Sequence, residues 1–150
     1  MLRLREANAN DVAIVEYILS TSRSEFLPYA KSPHSKDEIR QWISAILMPS
    51  SRVVIVKQDG EDVGVLATSV TEGVGWIDQL YLLPGYVGRG IGTVLLKHAL
   101  KRLPRPVCLW TFQQNQPAIH FYEHHGFKAV KYTNGENNEE SCPDVLYELN

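Results

Sequence analysis

The chain has 150 residues, of which 44% are hydrophobic and 21% charged, and its formal net charge at pH 7 is -2. This is the length of one ordinary domain, so we expect residues 1–150 to form a single folded unit with a buried core. The balance of charge offers no basic stripe for nucleic acid, and no stretch of sequence reaches the roughly 18 apolar residues that cross a membrane.

The sequence places the two cysteines in unrelated surroundings. Cys108 lies in an apolar run and Cys142 in a polar loop, with neither a disulfide spacing nor a metal-ligand spacing. This usage is typical of a reducing compartment. The segment 1–11 has no apolar signal-peptide core. We therefore expect a cytoplasmic protein.

Residues 1–36 predict one strand and one helix. Residues 2–5 alternate apolar and charged side chains with the period of a half-buried strand. Asn8 or Asn10 can cap a following helix, whose apolar residues recur at helical spacing from 12 to 19. Residues 22–36 are polar and contain two prolines, which favours a loop or a short helix.

A second helix and a β-hairpin are predicted next. Ser35 and Glu38 form a capping box ahead of apolar residues at helical spacing. Residues 53–57 and 62–71 are rich in β-branched side chains and flank a Gln-Asp-Gly turn at 58–60, which is typical of a hairpin.

The second half of the chain alternates strands and helices. A third β-rich run covers residues 76–83, and an apolar stripe at helical spacing follows over 91–103. The remaining segments read as strand, helix, strand and strand, at 107–112, 115–126, 127–132 and 145–149. The order β-α-α-β-β-β-α-β-α-β-β indicates one mixed α/β domain.

A glycine-rich loop, LPGYVGRGIG at residues 83–92, lies between a predicted strand and a predicted helix. The first amides of a helix have no intrahelical partner and carry partial positive charge. Glycines at 88, 90 and 92 would let an anion such as a phosphate approach those amides directly. A tight turn with close helix–strand packing would use the same glycines, so the spacing alone leaves both interpretations open.

Two known phosphate-binding fingerprints do not fit this loop. A dinucleotide fingerprint requires G-x-G-x-x-G, and a P-loop requires Gly-Lys-Ser/Thr, whereas Gly92 is followed by Thr93 and Val94. A generic nucleotide-binding protein is therefore disfavoured. Positive side chains around the helix suit a ligand with several phosphates, although a solvated helix face explains most of them equally well: Arg89, Lys97, Lys101 and Arg102.

A second motif, Asn115-x-x-Ala118-x-x-Phe121-Tyr122-x-x-x-Gly126-Phe127, follows later in the chain. Together, LYLLPGYVGRGIGTVLL and NQPAIHFYEHHGF resemble the acyl-CoA-binding half of the GNAT family of N-acetyltransferases. The resemblance is specific over residues 76–133, and residues 1–75 are compatible with it without being diagnostic. It implies a mixed, mostly antiparallel central sheet with flanking helices, and acetyl-CoA as cosubstrate.

In that family, backbone amides of the glycine loop bind the pyrophosphate of acetyl-CoA. The resemblance implies this role for Val87, Gly88, Arg89, Gly90, Ile91, Gly92 and Thr93. Val87 departs from the usual Gln or Arg, which affects a side-chain contact but not the amide. Leu80, Tyr81 and Leu82 match the strand whose backbone pairs with the pantetheine arm, and Asn115 matches a residue that reaches the cofactor beyond the next strand.

The same resemblance implies catalytic roles. Tyr122 matches the tyrosine that protonates the departing CoA thiolate in many members, whereas a tyrosine considered alone would read as a core residue. An amide near Leu82 can hold the oxyanion of the tetrahedral intermediate. Asp78 is expected to share a strand face with Leu80 and Leu82, where it could relay the amine's proton through water. A structural, hydrogen-bonded carboxylate is the alternative for Asp78.

Other reactive side chains are given simpler interpretations. His120 and His124 lie four apart without a third-ligand signature, so no metal site is expected. By analogy with the family, Tyr29 and His34 could line the acceptor pocket. The acidic run at 136–144 should be a solvated loop, which would favour a cationic acceptor if it overhangs the cleft. The three tryptophans should line the core or the cleft wall: Trp42, Trp76 and Trp110.

The sequence therefore predicts an N-acetyltransferase that passes an acetyl group from acetyl-CoA directly to a primary amine in a ternary complex. The amine could belong to a small molecule or a peptide. The alternative is a non-catalytic acyl-CoA-binding sensor on the same fold. Acetyl-CoA and the amine acceptor are the expected partners, with no nucleic acid, membrane or metal, and a homodimer remains open.

Overall fold

The computed structural model describes residues 1–30 and 32–150. Across these residues the strands are β1 (Leu2–Glu6), β2 (Arg52–Gln58), β3 (Glu61–Thr71), β4 (Val74–Leu82), β5 (Val107–Phe112), β6 (Lys128–Tyr132) and β7 (Asp144–Leu149). The α-helical segments are α1 (Val12–Phe26), α2 (Lys36–Trp42), α3 (Met48–Ser50), α4 (Ile91–Arg102) and α5 (Gln116–His124). A π-helical stretch, Ile43–Leu47, joins α2 to α3.

The strands form one sheet in the order β1-β2-β3-β4-β5-β7-β6. Its neighbouring strands are antiparallel except for β4 and β5, which run parallel. Tight turns connect β2, β3 and β4, and Asp59 and Gly60 of the predicted hairpin turn both adopt positive φ, at 50° and 90°. The parallel pair needs a crossover, which α4 supplies. The predicted mixed, mostly antiparallel sheet with flanking helices is confirmed.

Within the described residues, the parallel strands β4 and β5 pair with each other at one end only. Gly75 pairs with Val107 and Trp76 with Cys108, and the two strands then diverge. The amide of Gly75 also donates to the carbonyl of Pro106 at 3.0 Å. A side chain at Gly75 would place its Cβ 2.7 Å from the carbonyl oxygen of Pro104, so glycine permits this close approach. The result is a V-shaped gap in the sheet, which we call the β4–β5 gap.

The sheet buries a hydrophobic core on each face. One core packs α4 and α5 against the sheet, with Leu95 and Leu96 fully enclosed. The opposite core packs α1 and the π-helical stretch, with Ile18 and Ile43 fully enclosed. In the part of the chain described, no helix has both the length and the apolar character needed to span a bilayer.

The helix α1 is longer than the sequence suggested. Residues 22–26 were expected in a loop or a separate short helix, whereas α1 continues to Phe26 and ends with the Leu27 amide bonded to the carbonyl of Arg23 at 2.8 Å. Ser22 is buried at 2% exposure on the sheet side of the helix. A small polar residue breaks the apolar pattern there without breaking the packing, which explains the misassigned boundary.

Candidate active site

The β4–β5 gap exposes the backbone of the strand that the sequence matched to the pantetheine-binding segment. The Leu83 amide donates to the Val63 carbonyl at 2.8 Å, so Leu83 faces β3. Because backbone groups alternate in direction along an antiparallel pair, the amides and carbonyls of Leu80 and Leu82 point the other way, into the gap. These two residues therefore offer unpaired donors and acceptors to an extended ligand, while the backbone of Tyr81 faces β3.

The glycine loop lies at the open end of the gap. Gly88 and Gly90 have φ of +80° and +82°, and a Cβ at either would meet nothing within 4 Å. Their backbone is thus accessible, and side chains rarely adopt this conformation. Gly92 differs, because its Cβ would lie 3.5 Å from the ring of Phe121. The first two glycines leave open space, whereas a Cβ at the third would make an ordinary van der Waals contact with Phe121.

The start of α4 supplies unpaired amides beside that open space. The amide of Val94 is bonded to the Gly90 carbonyl at 3.2 Å, so the preceding amides of Ile91, Gly92 and Thr93 lie before the first intrahelical bond. Arg89 is exposed, with its guanidinium 5.1 Å from the centre of the Tyr86 ring. These donors and the positive end of the helix suit an anionic group.

On the opposite side of the gap, Asn115 begins α5. Its side-chain oxygen accepts a hydrogen bond from the Ala118 amide at 3.4 Å and so caps the helix. Asn115 also lines a cavity between β4 and β5. Because the side-chain oxygen of Asn115 already accepts a hydrogen bond in the cap, its side-chain NH2 group remains available to donate a hydrogen bond to a ligand.

Tyr122 is deeply buried in the core formed by α4 and α5. Its ring packs edge-on against Phe121 and Phe127, with centroids 5.2 and 5.5 Å away, and its exposure is 7%. Burial strongly raises the pKa of its hydroxyl, and nearby Tyr81 raises it further. Tyr122 therefore holds its proton at neutral pH.

A β-bulge occurs on β4 just where this strand leaves β5. Ala67 of β3 pairs with Gln79, and the next residue, Thr68, pairs with Ile77. Asp78 is consequently an extra residue without a partner on β3. A bulge of this kind bends the strand and resets the alternation of its side chains.

The bulge overturns one expectation about Asp78. Leu80 and Leu82 pack against the core on the α4 side, whereas Asp78 accepts a hydrogen bond from the Ser51 hydroxyl at 3.0 Å on the α1 side. The prediction that Asp78 shares a face with the two leucines is therefore wrong. Burial raises the pKa of the Asp78 carboxyl, and hydrogen bonds from Ser69 and Ser51 oppose that rise.

A cavity of about 500 Å³ adjoins the gap on the side of α1. Three carboxyl groups and two cations line it, together with Trp110, which is 44% exposed. We call this cavity the polar chamber; its charged lining residues are Arg23, Asp78, Lys131, Glu140 and Asp144. Trp110 is thus part of the cleft wall, as the sequence suggested.

Comparison with known proteins decides the family. The model of the acetyltransferase (GNAT) family matches residues 16–127 of this chain. The chain belongs to the GNAT family. It is therefore an acyltransferase, and the resemblance seen in the two sequence motifs is confirmed.

Several known proteins are similar to this chain over much of its length. It is 30% identical over 127 residues to the peptidyl-lysine N-acetyltransferase YiaC of Escherichia coli, covering 85% of this chain and 84% of that protein. It is 29% identical over 99 residues to the peptidyl-lysine N-acetyltransferase YjaB of the same organism, covering 66% and 64%. The crystal structure of a PaiA N-acetyltransferase from Thermoplasma acidophilum, in complex with coenzyme A, superposes with a TM-score of 0.77 at 17% identity, covering 99% and 98%.

In this GNAT chain the acidic loop between β6 and β7 is not simply solvated. Glu140 accepts from the Arg23 guanidinium at 2.9 Å, with only 16% of its side chain exposed. Asp144 is hydrogen-bonded by Thr133 and by Asn138. The expectation of a solvated loop is wrong for these two carboxylates, because the loop folds over the polar chamber.

The segment between α1 and α2 meets that loop from the other side. Glu139 lies 3.0 Å from Nε2 of His34 and raises the pKa of this imidazole, and the Tyr29 carbonyl lies 3.4 Å from the sulfur of Cys142. His34 and Tyr29 thus border the roof of the chamber, although neither lines it. Lys31, within the same segment, lies outside the described residues.

Arg23 and Lys131 complete the polar lining of the chamber, and no motif in the sequence marks either of them. Arg23 lies in the polar stretch at residues 22–36, which is the one local signal near it. Among the residues described, no group of three or more His, Cys, Asp or Glu side chains could hold a metal ion.

Proposed function

We propose that the protein transfers an acetyl group from acetyl-CoA to a lysine side-chain amine of a polypeptide. The observation that carries the proposal is the β4–β5 gap, which joins the unpaired backbone groups of Leu80 and Leu82 to the open glycine loop at one end and the polar chamber on one side. A thioester held along this path would meet an amine entering through the chamber.

The residues around the gap fit the two parts of the cosubstrate. The amides from Gly88 to Thr93, at the positive end of α4, would bind the pyrophosphate, and Arg89 adds an exposed cation. The backbone of Leu80 and Leu82 would pair with the amide groups of the pantetheine arm, as an added strand would. The side-chain NH2 group of Asn115 would donate to the same arm from across the gap.

Two groups would stabilise charge as the amine attacks the thioester. The Leu82 amide, pointing into the gap, would donate to the oxygen that becomes negative in the tetrahedral intermediate. The Tyr122 hydroxyl would give a proton to the sulfur as the carbon–sulfur bond breaks. The burial that raises the pKa of Tyr122 makes its hydroxyl a weaker acid, but the same burial would make an expelled thiolate more basic and so offset that loss.

Asp78 would receive the acceptor from the side of the chamber. Its carboxylate can attract an ammonium group and accept a proton from it, directly or through water. Glu140 is already paired with Arg23, and Asp144 is hydrogen-bonded within its loop. In the part of the chain that the structure describes, Asp78, Asp144 and Lys131 form no salt bridge, and the chamber carries one more carboxylate than cations.

A lysine side chain suits this chamber better than other amines. Its long aliphatic stem can pass the exposed ring of Trp110 while the ammonium group reaches Asp78. Two relatives at about 30% identity are named as peptidyl-lysine N-acetyltransferases, which supports the same acceptor class.

A screen of amine acceptors tests the proposal. The protein is incubated with acetyl-CoA and each of four acceptors: a lysine peptide with blocked termini, a lysine-free peptide with a free N-terminus, a polyamine and free lysine. Release of free thiol is followed with time. We expect the blocked lysine peptide to give the highest kcat/KM. Acetyl-CoA binding without thiol release from any acceptor would instead favour a sensor.

A further inference from the structure

A second depression adjoins the polar chamber. It has a volume of about 430 Å³ and shares two lining residues, Asp78 and Gln79, with the chamber. The two cavities therefore meet at the β-bulge, on either side of the Asp78 carboxylate. Whatever amine reaches Asp78 through the chamber has this depression immediately beside it.

The floor of the depression is apolar and exposed. Trp42 and Ile46 are 38% and 55% exposed, and Val70 at the end of β3 is 56% exposed. We call these three residues the hydrophobic shelf. Apart from Asp78, its remaining lining consists of uncharged residues, mainly serine and threonine. An apolar centre with an uncharged hydroxyl rim fits an apolar side chain on a polypeptide better than a charged ligand.

A π-helical turn contributes Ile46 to the shelf and follows directly on Trp42. Ile43 and Leu47, at the two ends of this stretch, are 0% and 3% exposed and pack against the sheet. Trp42 and Ile46, also four residues apart, are directed outward along the same helix. Single π-helical turns are uncommon and occur frequently at functional sites. Ile43 and Leu47 hold this segment against the core, whereas Trp42 and Ile46 remain exposed and could contact a ligand.

From this continuity we infer that the hydrophobic shelf binds an apolar side chain next to the acetylated lysine in the acceptor polypeptide. The inference rests on the proposed function and narrows its substrate class. An extended chain advances by about 3.3–3.6 Å per residue, so the apolar residue must lie within a few positions of the lysine. Free lysine and polyamines have no such side chain and would not use the shelf.

A peptide series tests the inference. Seven-residue peptides of glycine and serine with blocked termini carry a central lysine, and one leucine is moved through the six flanking positions. We expect leucine at one position, or at two adjacent ones, to raise kcat/KM about tenfold over the leucine-free peptide. Burying part of a leucine side chain stabilises a complex by about the free energy of one tenfold change in affinity. The Ile46→Ser and Val70→Ser variants should reduce the ratio between the two peptides to about one.

The Tyr17→Ser variant is the matched control, since Tyr17 is 53% exposed on α1 and lines neither cavity. It should retain the full leucine gain. Melting temperatures report whether the shelf variants remain folded, and sedimentation at assay concentration reports their oligomeric state. A double-mutant cycle over leucine and Ile46 isolates the contact from other effects.

Three results would overturn the inference. One is a leucine that helps at no position, and another is a leucine gain that survives in both shelf variants. The third is a dimer that Ile46→Ser dissociates without altering the leucine gain, which would make the shelf an interface between copies of the chain. Equal transfer to all lysine peptides would refute the shelf alone, whereas transfer to none of them would refute the proposed function as well.

Discussion

The Arg23 guanidinium donates to the Glu140 carboxylate at 2.9 Å and to the Ala30 carbonyl at 3.0 Å, and so ties α1 to the loop between β6 and β7. The two paired side chains are 22% and 16% exposed. This pair spans the polar chamber from one side to the other. Together with the contact between His34 and Glu139, it joins the two sides that cover the proposed acceptor site.

Replacing Glu140 with Gln should therefore loosen the roof of the chamber. We expect a loss of about 1–2 kcal/mol in the free energy of unfolding, since a charged hydrogen bond in a partly buried site is weakened. The KM for a lysine peptide should rise, while acetyl-CoA affinity stays the same. Urea unfolding and steady-state kinetics measure these effects.

The exposed pair between Arg52 and Glu6, at 3.1 Å, offers a control for that experiment. Glu6→Gln should cost less than about 0.5 kcal/mol, because ion pairs of exposed side chains contribute little. It should leave the acceptor KM as it is. Equal losses in the two variants would mean that the Glu140 pair has no special role in covering the chamber.

A second prediction concerns the glycine loop and has a close internal control. Gly90 and Gly60 both have positive φ, at +82° and +90°, and both have open space where a Cβ would stand. Alanine at either position should cost about 1–2 kcal/mol of stability through the same backbone strain. Only Gly90→Ala should weaken acetyl-CoA binding, as followed by calorimetry. Unchanged affinity in Gly90→Ala would exclude this loop as the pyrophosphate site.

The Tyr122→Phe variant tests the proposed proton donor. The substitution keeps the ring and its packing against Phe121 and Phe127 and removes only the hydroxyl. We expect kcat and kcat/KM to fall together by about 100-fold or more, because general acid catalysis has typically this size. Acetyl-CoA affinity should change little. Single-turnover kinetics are needed so that product release does not mask the chemical step; a rate near that of the parent would return Tyr122 to a core role.

The Asp78→Asn variant links activity to stability. Because burial raises the pKa of Asp78 in the folded protein, ionisation of this carboxyl disfavours folding. Asparagine should therefore be more stable than aspartate at neutral pH, and the difference should shrink as the pH falls through the raised pKa. Below the ordinary pKa of 3.8 it should disappear.

The same Asp78→Asn variant should lose activity at neutral pH, and the acid limb of its kcat/KM profile should move. Thermal melts across the pH range and pH–rate profiles provide the two measurements. A variant with the parent's profile would identify Asp78 as a structural acceptor for the hydroxyls of Ser51 and Ser69.

Local signals in the sequence predicted much of the fold. The Asp59-Gly60 turn, the Ser35–Glu38 capping box and the glycine loop each depend on residues close together in the chain, and all three are present. The order of strands and helices follows from the same kind of pattern. Such features depend on side-chain chemistry and backbone freedom within a few residues, which a sequence displays directly.

The features that were missed depend on distant pairing. The orientation of Asp78 is set by the register between β3 and β4, and a bulge of one residue reverses it. Arg23 and Glu140 are 117 residues apart. No local pattern in the sequence therefore indicates that these two side chains form an ion pair. The boundaries of elements also shifted where small polar residues such as Ser22 are buried.

The two-pair junction at Gly75 and Trp76 divides the sheet into two panels that meet along a short line of contact. One panel, β1 to β4, supplies Tyr81 to the polar chamber, and the other, β5 to β7, supplies Trp110. The pantetheine arm of acetyl-CoA, if it lies in the gap, would contact both panels and so fix the angle between them. The width of the polar chamber would then depend on whether acetyl-CoA is bound. Binding of the acyl donor would in this way also set the shape of the site that receives the amine.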